Sequence, residues 1–383
     1  RIGIYIGTGT SHSWIWFVDL CSRLGYHRVD FLDEQAIQTG SLSDIDVLVI
    51  TGGDTFAVAG ALGQAGASQL GDFVENGGIY IGSCAGAYLP MHSSKSPLNK
   101  FNFVRAKITN LSKHLPEVLR LQHKSFACYG CHFIYHPVRE EVELKLEKDN
   151  SGANGSSSRV RAPLYGGPAM IAPEEAKVLA TYSGFTSNTL FIVQPDLASS
   201  TMLGHAAAIR IPFGRGVFYL FGPHFEHPSF PEANEFLASC IQEYIFCSSP
   251  AEGSGLDTCS NSNPCDFLTG IEFQNLLRDL KREVSNSRLV AAGIEFTSVH
   301  WTIGHKVYEP EKIRVFLENI WWKLRYLERC KAFAIRDEEP SEIIKKGQKI
   351  THRIRLLKKE LESGIETTPI ASELFFLLHS FTV

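Results

Sequence analysis

Short continuous apolar runs recur through the first two thirds of the chain, and segments of helical spacing separate them. Ile2–Ile6, Asp46–Ile50 and Ile79–Gly82 have strand length and little polar alternation, the pattern of strands buried on both faces. Ser13–Leu24 puts Trp14, Phe17, Val18 and Cys21 on one helical face, and Gln64–Asn76 is helix-like and stops at Gly77-Gly78. Buried strands alternating with helices predict an α/β fold, a mostly parallel sheet covered on both faces. From Met91 to about Arg161 the pattern loosens, and Ser151–Ser158 reads as a loop by composition. Strand-like runs return at Lys177–Tyr182, Ala206–Ile211 and Val217–Phe221, followed by a helix over Pro231–Phe246.

The segment Ser248–Asp266 is rich in Ser, Gly, Pro and Asn and almost lacks large apolar residues. Beyond it, Phe267–Val284, Glu311–Cys330 and Ser341–Ser363 are charged and helically periodic. The expected organisation is therefore an α/β domain at 1–248, a linker at 249–266 and a helical C-terminal region at 267–383. Val315, Phe316, Leu317, Ile320, Trp321, Leu324 and Leu327 form an apolar stripe at helical spacing. Packing onto the sheet domain is its plain reading; a homodimer or partner-protein surface is the second.

Composition narrows the class. In 383 residues, 44% are hydrophobic and 20% charged, which fits a folded globular chain and excludes wholesale disorder. The net charge of -4 gives no reason to expect nucleic acid or an anionic membrane as partner. No apolar run approaches the roughly 18 residues of a membrane span. Nine cysteines, an odd number in a large chain, exclude a small disulfide-stapled scaffold but leave an isolated bridge open. The chain opens at Arg1, directly before a strand-like run, so a trimmed leader stays open and a cytoplasmic location is the working expectation. Asn110 and Asn154 head glycosylation sequons, motifs short enough to arise by chance.

The sharpest chemical signal is Ile79–Tyr88, where a buried strand runs into Gly82-Ser83-Cys84-Ala85-Gly86. This is the thiol form of a nucleophile elbow, a tight strand-to-helix turn needing small residues on both sides of the nucleophile. A following helix would aim its free N–H groups at the Cys84 sulfur, and the Ala85 N–H would be placed to donate to an oxyanion. A buried structural cysteine is the plain alternative. Thr51-Gly52-Gly53-Asp54 follows another strand; its glycines allow close backbone approach, making Gly53 the second oxyanion donor candidate. Gly52 and Asp54, with Tyr88 and Gly167, are pocket candidates. His224 and Glu226, two apart after Val217–Phe221, supply a base and its orienting carboxylate, at the strand ends where open parallel sheets bind ligands. His227 is a rival base whose side chain should point elsewhere.

GSCAG followed 140 residues later by H-x-E resembles the class I glutamine amidotransferase-like superfamily. The closer resemblance is to the amidotransferase-like N-terminal domain of fungal-type biotin protein ligases. It is carried by Ile4–Thr10, Thr51–Asp54, Gly77–Tyr88, Leu164–Pro168 and Gly222–Glu226, and covers roughly residues 1–248. It implies a flavodoxin-like, doubly wound sheet and a Cys84–His224–Glu226 triad acting on a small-molecule or peptide amide. No ammonia-accepting module and no biotin ligase domain with its Gly-Arg-rich loop is evident, so ligase activity is not implied.

Cys128-Tyr-Gly-Cys131-His132 spells a c-type haem attachment pattern, and with His123 or His136 it could seed a zinc site. Nothing else in the chain supports haem or zinc, so no metal and no cofactor is expected. Two functions follow: a cysteine-dependent amide hydrolase, or a catalytically silent small-molecule-binding or regulatory module that keeps the pocket.

Overall fold

The computed structural model describes residues 1–11, 13–26, 29–109, 137–147, 159–248, 266–295, 297–303, 306–328, 332–335 and 340–382. The expected 151–158 loop, nearly all of the 249–266 linker, both sequons and the Cys128–Cys131 motif with its histidines lie outside the described residues. The chain divides into two compact units, Arg1–Phe246 and Cys247–Val383.

Among its described residues, the first unit is built on an eleven-stranded sheet. Strands β1 (Ile2–Tyr5), β2 (Val29–Leu32), β3 (Val47–Ile50), β4 (Ile79–Ser83) and β11 (Gly216–Phe221) run parallel in the order β2-β1-β3-β4-β11. β1, β3, β4 and β11 are buried at every position, which is why their sequences are unbroken apolar runs. The crossovers use helices α1 (Ser13–Arg23), α2 (Glu34–Gln38) and α3 (Thr55–Glu75). Side chains alternate between faces. Leu48, Ile50, Tyr80, Phe218 and Leu220 share a cluster with Val58, Leu62, Leu70 and Val74 of α3. Phe221, on the opposite alternation, meets Phe225, which meets Phe236 of the helix Pro231–Ser248 (ring centroids 5.3 and 5.4 Å). The four buried parallel strands and α1 therefore fall where the sequence predicts them, whereas β2 and α2 were not among the expected elements.

The antiparallel end of the sheet is not. Beyond β11 come β10 (Ala206–Phe213), β9 (Lys177–Phe191), β6 (Val138–Leu146) and β7 (Arg159–Leu164), all antiparallel, with the short β5 (Lys107–Ile108) and β8 (Met170–Ile171) branching from β10. β9 continues nine residues past the expected end at Tyr182. β6 falls inside the stretch whose pattern looked loose, yet it buries Val138, Val142 and Leu144 and exposes or half-exposes the charged residues between, a half-solvated strand rather than a buried one. Helix α3 also begins earlier than Gln64. Gly63 has φ +59° inside it, so Gln64–Glu75 is the second limb of a kinked helix whose first limb starts at the Asp54 cap.

Among its described residues the second unit carries four helices, α7 (Gly270–Ala292), α8 (Pro310–Leu327), α9 (Pro340–Glu362) and α10 (Thr368–Thr382), numbered after α4–α6 of the first unit (Ala85–Tyr88, Pro195–Met202 and Pro231–Ser248). It also holds two short antiparallel pairs that helical periodicity does not reveal: β12 (Asp266–Thr269) with β15 (Ala332–Ile335), and β13 (Trp301–Ile303) with β14 (Lys306–Tyr308). Phe316, Leu317, Ile320 and Leu324 of the apolar stripe are buried. Phe316 packs on Phe375 of α10 (6.0 Å), so neighbours within the unit take up this part of the stripe. Lys281 and Arg288 of α7 lie over the Trp321 ring at 5.3 and 5.0 Å. Among the described residues, no helix is long and apolar enough to cross a membrane.

Candidate active site

The elbow forms as its sequence demands. Cys84, at the end of β4, has φ +53° and ψ -105°, a region costly for a residue with a Cβ. Its N–H donates to Phe221 O (2.9 Å), and the Gly86 N–H donates to Thr51 O (3.1 Å), so both neighbouring strands hold the turn. The flanking glycines are steric necessities. A Cβ on Gly82 would sit 2.3 Å from Gly86 O, and one on Gly86 would sit 1.8 Å from Ile50 O. The Tyr80 hydroxyl donates to Gly86 O from below (2.7 Å).

Helix α4 after Cys84 is a single turn, Ala85–Tyr88. Expectation and structure part here, because four residues sum too few peptide dipoles to act as a full macrodipole. The Ala85 N–H, at the first helical position, still has no intrahelical acceptor.

β11 ends beside β4, with Phe221 paired to Ser83, and the loop beyond it carries His224 and Glu226. His224 Nδ1 and Glu226 Oε1 are 2.7 Å apart. Cys84, His224 and Glu226 are 4%, 3% and 0% exposed, so the three groups form a nearly closed cluster. Burial alone would push the His224 imidazolium down; the Glu226 carboxylate and the Cys84 sulfur, which is also hydrogen-bonded to it, outweigh burial and raise its pKa to about 10. His224 therefore carries its proton at neutral pH.

Sequence reasoning overlooked several residues that hold this cluster. Ser83 Oγ donates to Glu226, 3.0 Å from each carboxylate oxygen, and lies 3.5 Å from His224 Nδ1. Its signal was a polar residue at the end of an otherwise apolar strand. Asn234 of α6 donates to Phe225 O (2.6 Å) and His227 O (3.0 Å), and itself accepts from Arg23 (2.8 Å). The bonds that fix the loop span nine and seven residues of sequence, whereas the one from Arg23 reaches across 211, a distance no local pattern spans. Trp16 and Tyr165 pack rings against His224.

The remaining candidates have defined places. The Gly52 N–H donates to Ser13 Oγ (2.8 Å), so it is committed elsewhere; a Cβ there would meet His224 Cε1 at 2.7 Å. Gly53, at φ +142°, bridges to Thr10. Asp54 caps α3, accepting from the Phe56 and Ala57 N–H groups (2.9 and 3.2 Å). The Tyr88 hydroxyl donates to Gly166 O (3.1 Å). Gly167 packs so closely on Gly222 that a Cβ would lie 1.6 Å from Gly222 O. The rival His227 has Nδ1 accepting from the Ser229 N–H (3.2 Å) and its ring against Trp16 (4.4 Å).

Residues 1–243 match the family described as biotin-protein ligase, N terminal. The chain belongs to that family. The match takes in all five motif segments and stops before the second unit, so the biotin-protein ligase N-terminal domain is the first unit alone. No curated protein matches the chain. Solved structures similar to it include a beta-galactosidase from Bacillus circulans sp. alkalophilus (15% identity, TM-score 0.35, 63% of this chain and 31% of that one). A cytoplasmic protein from Salmonella typhimurium LT2 is similar at 15% identity and TM-score 0.35, over 64% and 99% of the two chains. An exo-beta-1,4-mannosidase from Opitutaceae bacterium strain TAV5 is similar at 11% identity and TM-score 0.32, over 64% and 35%. The chain thus spans about a third of the two glycosidases.

Proposed function

We propose that the biotin-protein ligase N-terminal unit of this chain is a cysteine-dependent amide hydrolase or amidotransferase-like protein, on a flavodoxin-like scaffold of the glutamine amidotransferase type. The observation that carries the reading is the 2.7 Å His224–Glu226 contact beside a cysteine held at φ +53° on an elbow. A structural cysteine has no need of that backbone strain or of a protonated histidine.

In the proposed reaction Cys84 Sγ, its proton already held on His224, adds to the amide carbonyl carbon. The oxyanion is met by the Ala85 N–H; Gly53, whose loop joins the elbow through Thr51 O, is the second candidate donor. His224 gives its proton to the nitrogen, the C–N bond breaks and a thioester remains. Water then attacks the thioester while neutral His224 takes its proton, releasing the acid and restoring the sulfur. Glu226 keeps the imidazole oriented and stabilises its charge.

One observation favours the silent binding-module reading: the nucleophile is only 4% exposed. A screen of amides with amine-release detection separates the two readings. Release by the wild type that Cys84→Ala abolishes, with an acyl adduct on Cys84 in the intact mass, supports hydrolysis. Full turnover by Cys84→Ser, or none by the wild type alongside tight small-molecule binding, would sink it.

A further inference from the structure

Three short extended segments of the first unit lie edge to edge and turn one row of side chains outward. Met91 bridges Val104 in parallel. Three residues on, β5 pairs antiparallel with β8, setting Lys107 against Ile171 and Ile108 against Met170. Side chains of extended backbone alternate between faces. Met91, Val104, Ala106 and Met170 are buried in the cluster that also takes in α3. Their neighbours His92, Arg105, Lys107 and Ile171 share the other face, and all four are exposed. With Ala172 and Pro173 they line a cleft of about 460 Å³, a size usual for small-molecule sites. One side of the cleft is cationic and the other apolar. Among the described residues, His92, Arg105 and Lys107 make no ion pair and no side-chain hydrogen bond. Glu174 and Glu175, next along the chain after Pro173, form no ion pair with them either. Like charges set side by side repel, so the fold itself gains nothing from this row.

We propose that this cleft binds a small phosphate monoester, its phosphoryl group held by Arg105, Lys107 and His92 and a compact apolar body laid against Ile171, Ala172 and Pro173. The side chains select that class. Arginine offers a planar fork to two oxygens and lysine a point charge to another. A phosphoryl group presents three terminal oxygens and close to two negative charges at neutral pH. A monocarboxylate brings too little charge for the row, and inorganic phosphate leaves the Ile171 side chain in water. None of these residues belongs to the Cys84 cluster, so the site goes beyond the hydrolase reading and does not rest on it.

The test titrates the full chain with phenyl phosphate, benzoate and inorganic phosphate at constant ionic strength, because exposed charges are screened by salt. Affinities are read by NMR from the amide shifts of Arg105, Lys107 and Ile171. Phenyl phosphate is expected to bind with a Kd of about 1 mM or below, and about fivefold or more tighter than the other two probes through the apolar area it covers. Arg105→Gln and Lys107→Gln should each weaken it about tenfold, the loss of one charge-assisted hydrogen bond. Ile171→Ser should bring phenyl phosphate down to the level of inorganic phosphate. All three substitutions fall on exposed side chains, where stability changes little, and urea midpoints check that the fold is kept. No shift of these amides at about 10 mM phenyl phosphate, or binding that survives both Arg105→Gln and Lys107→Gln, overturns the site. Equal affinity for phenyl and inorganic phosphate means an adventitious anion only and overturns it as well.

Discussion

Replacing Glu226 by Gln keeps the shape of the side chain and removes its charge. In the wild type the carboxylate is fully buried, 2.7 Å from His224 Nδ1, and it contributes most among the effects that raise the imidazolium pKa. Without it, only the Cys84 sulfur and its hydrogen bond oppose burial, and the His224 pKa falls. Removing one partner of a buried pair costs roughly 3–5 kcal/mol. The sign with pH is fixed by the direction of the shift. A histidine whose folded pKa is about 10 against roughly 6.5 unfolded contributes its full stabilisation below pH 6.5. That contribution declines through the interval and is gone above pH 10. The loss in Glu226→Gln should therefore be largest near pH 6.5 and shrink towards pH 10, where only the stronger hydrogen bond of a carboxylate over that of an amide, about 1 kcal/mol, separates the proteins. Urea unfolding of both proteins at pH 6.5, 8 and 10 measures the difference, and the Cε1–H shift of His224 reports its protonation directly. A difference that stays constant across that range, or a wild-type His224 that titrates near 6.5, refutes the reasoning.

Three further outcomes are expected. Gly86→Ala should destabilise by several kcal/mol, about 3–5, because its Cβ would meet the Ile50 carbonyl oxygen at 1.8 Å; a urea midpoint near the wild-type value would contradict the steric account. Asp54→Ala should cost about 1 kcal/mol through loss of the α3 cap, and Asp54→Ser should recover most of it. A substrate-binding role would instead leave stability unchanged and weaken any ligand. Ser83→Ala should cost about 1.5–3 kcal/mol, the range for a hydrogen bond to a charged group, and should broaden or shift the His224 Cε1–H resonance. An unchanged resonance would make Ser83 a packing residue only.

The parallel core was legible because its strands are buried on both faces, which leaves runs such as Val47–Ile50 without polar interruption. The elbow was legible because its steric demands force small residues at Gly82 and Gly86 within a five-residue window. β6 was harder to see. Its Val138, Val142 and Leu144 alternate with Arg, Glu and Lys, and that pattern acquires meaning only beside β7 and β9. The first limb of α3 was hidden by Gly60 and by the break at Gly63, since glycines lower helix propensity. Ser83 and Asn234 were missed for a different reason: each acts on a partner more than 140 residues away or on a loop from another element, and such pairings arise from the fold. The β12–β15 pair likewise joins segments on either side of two helices.

The source of positive charge beside Cys84 also had to come from the fold. The sequence suggests that a helix N-terminus supplies it, but α4 is one turn long. What stands beside the sulfur instead is His224, kept protonated by a carboxylate that is itself buried and held by Ser83. A helix dipole would be indifferent to pH. An imidazolium is not, and its loss near pH 10 removes both the charge beside the sulfur and the proton that the proposed reaction gives to the leaving nitrogen. Any Cys84-dependent amide cleavage should accordingly fall away as pH approaches 10, and in Glu226→Gln that limb should move to lower pH together with the His224 resonance. A limb that stays in place while the resonance moves would mean that the proton comes from another group.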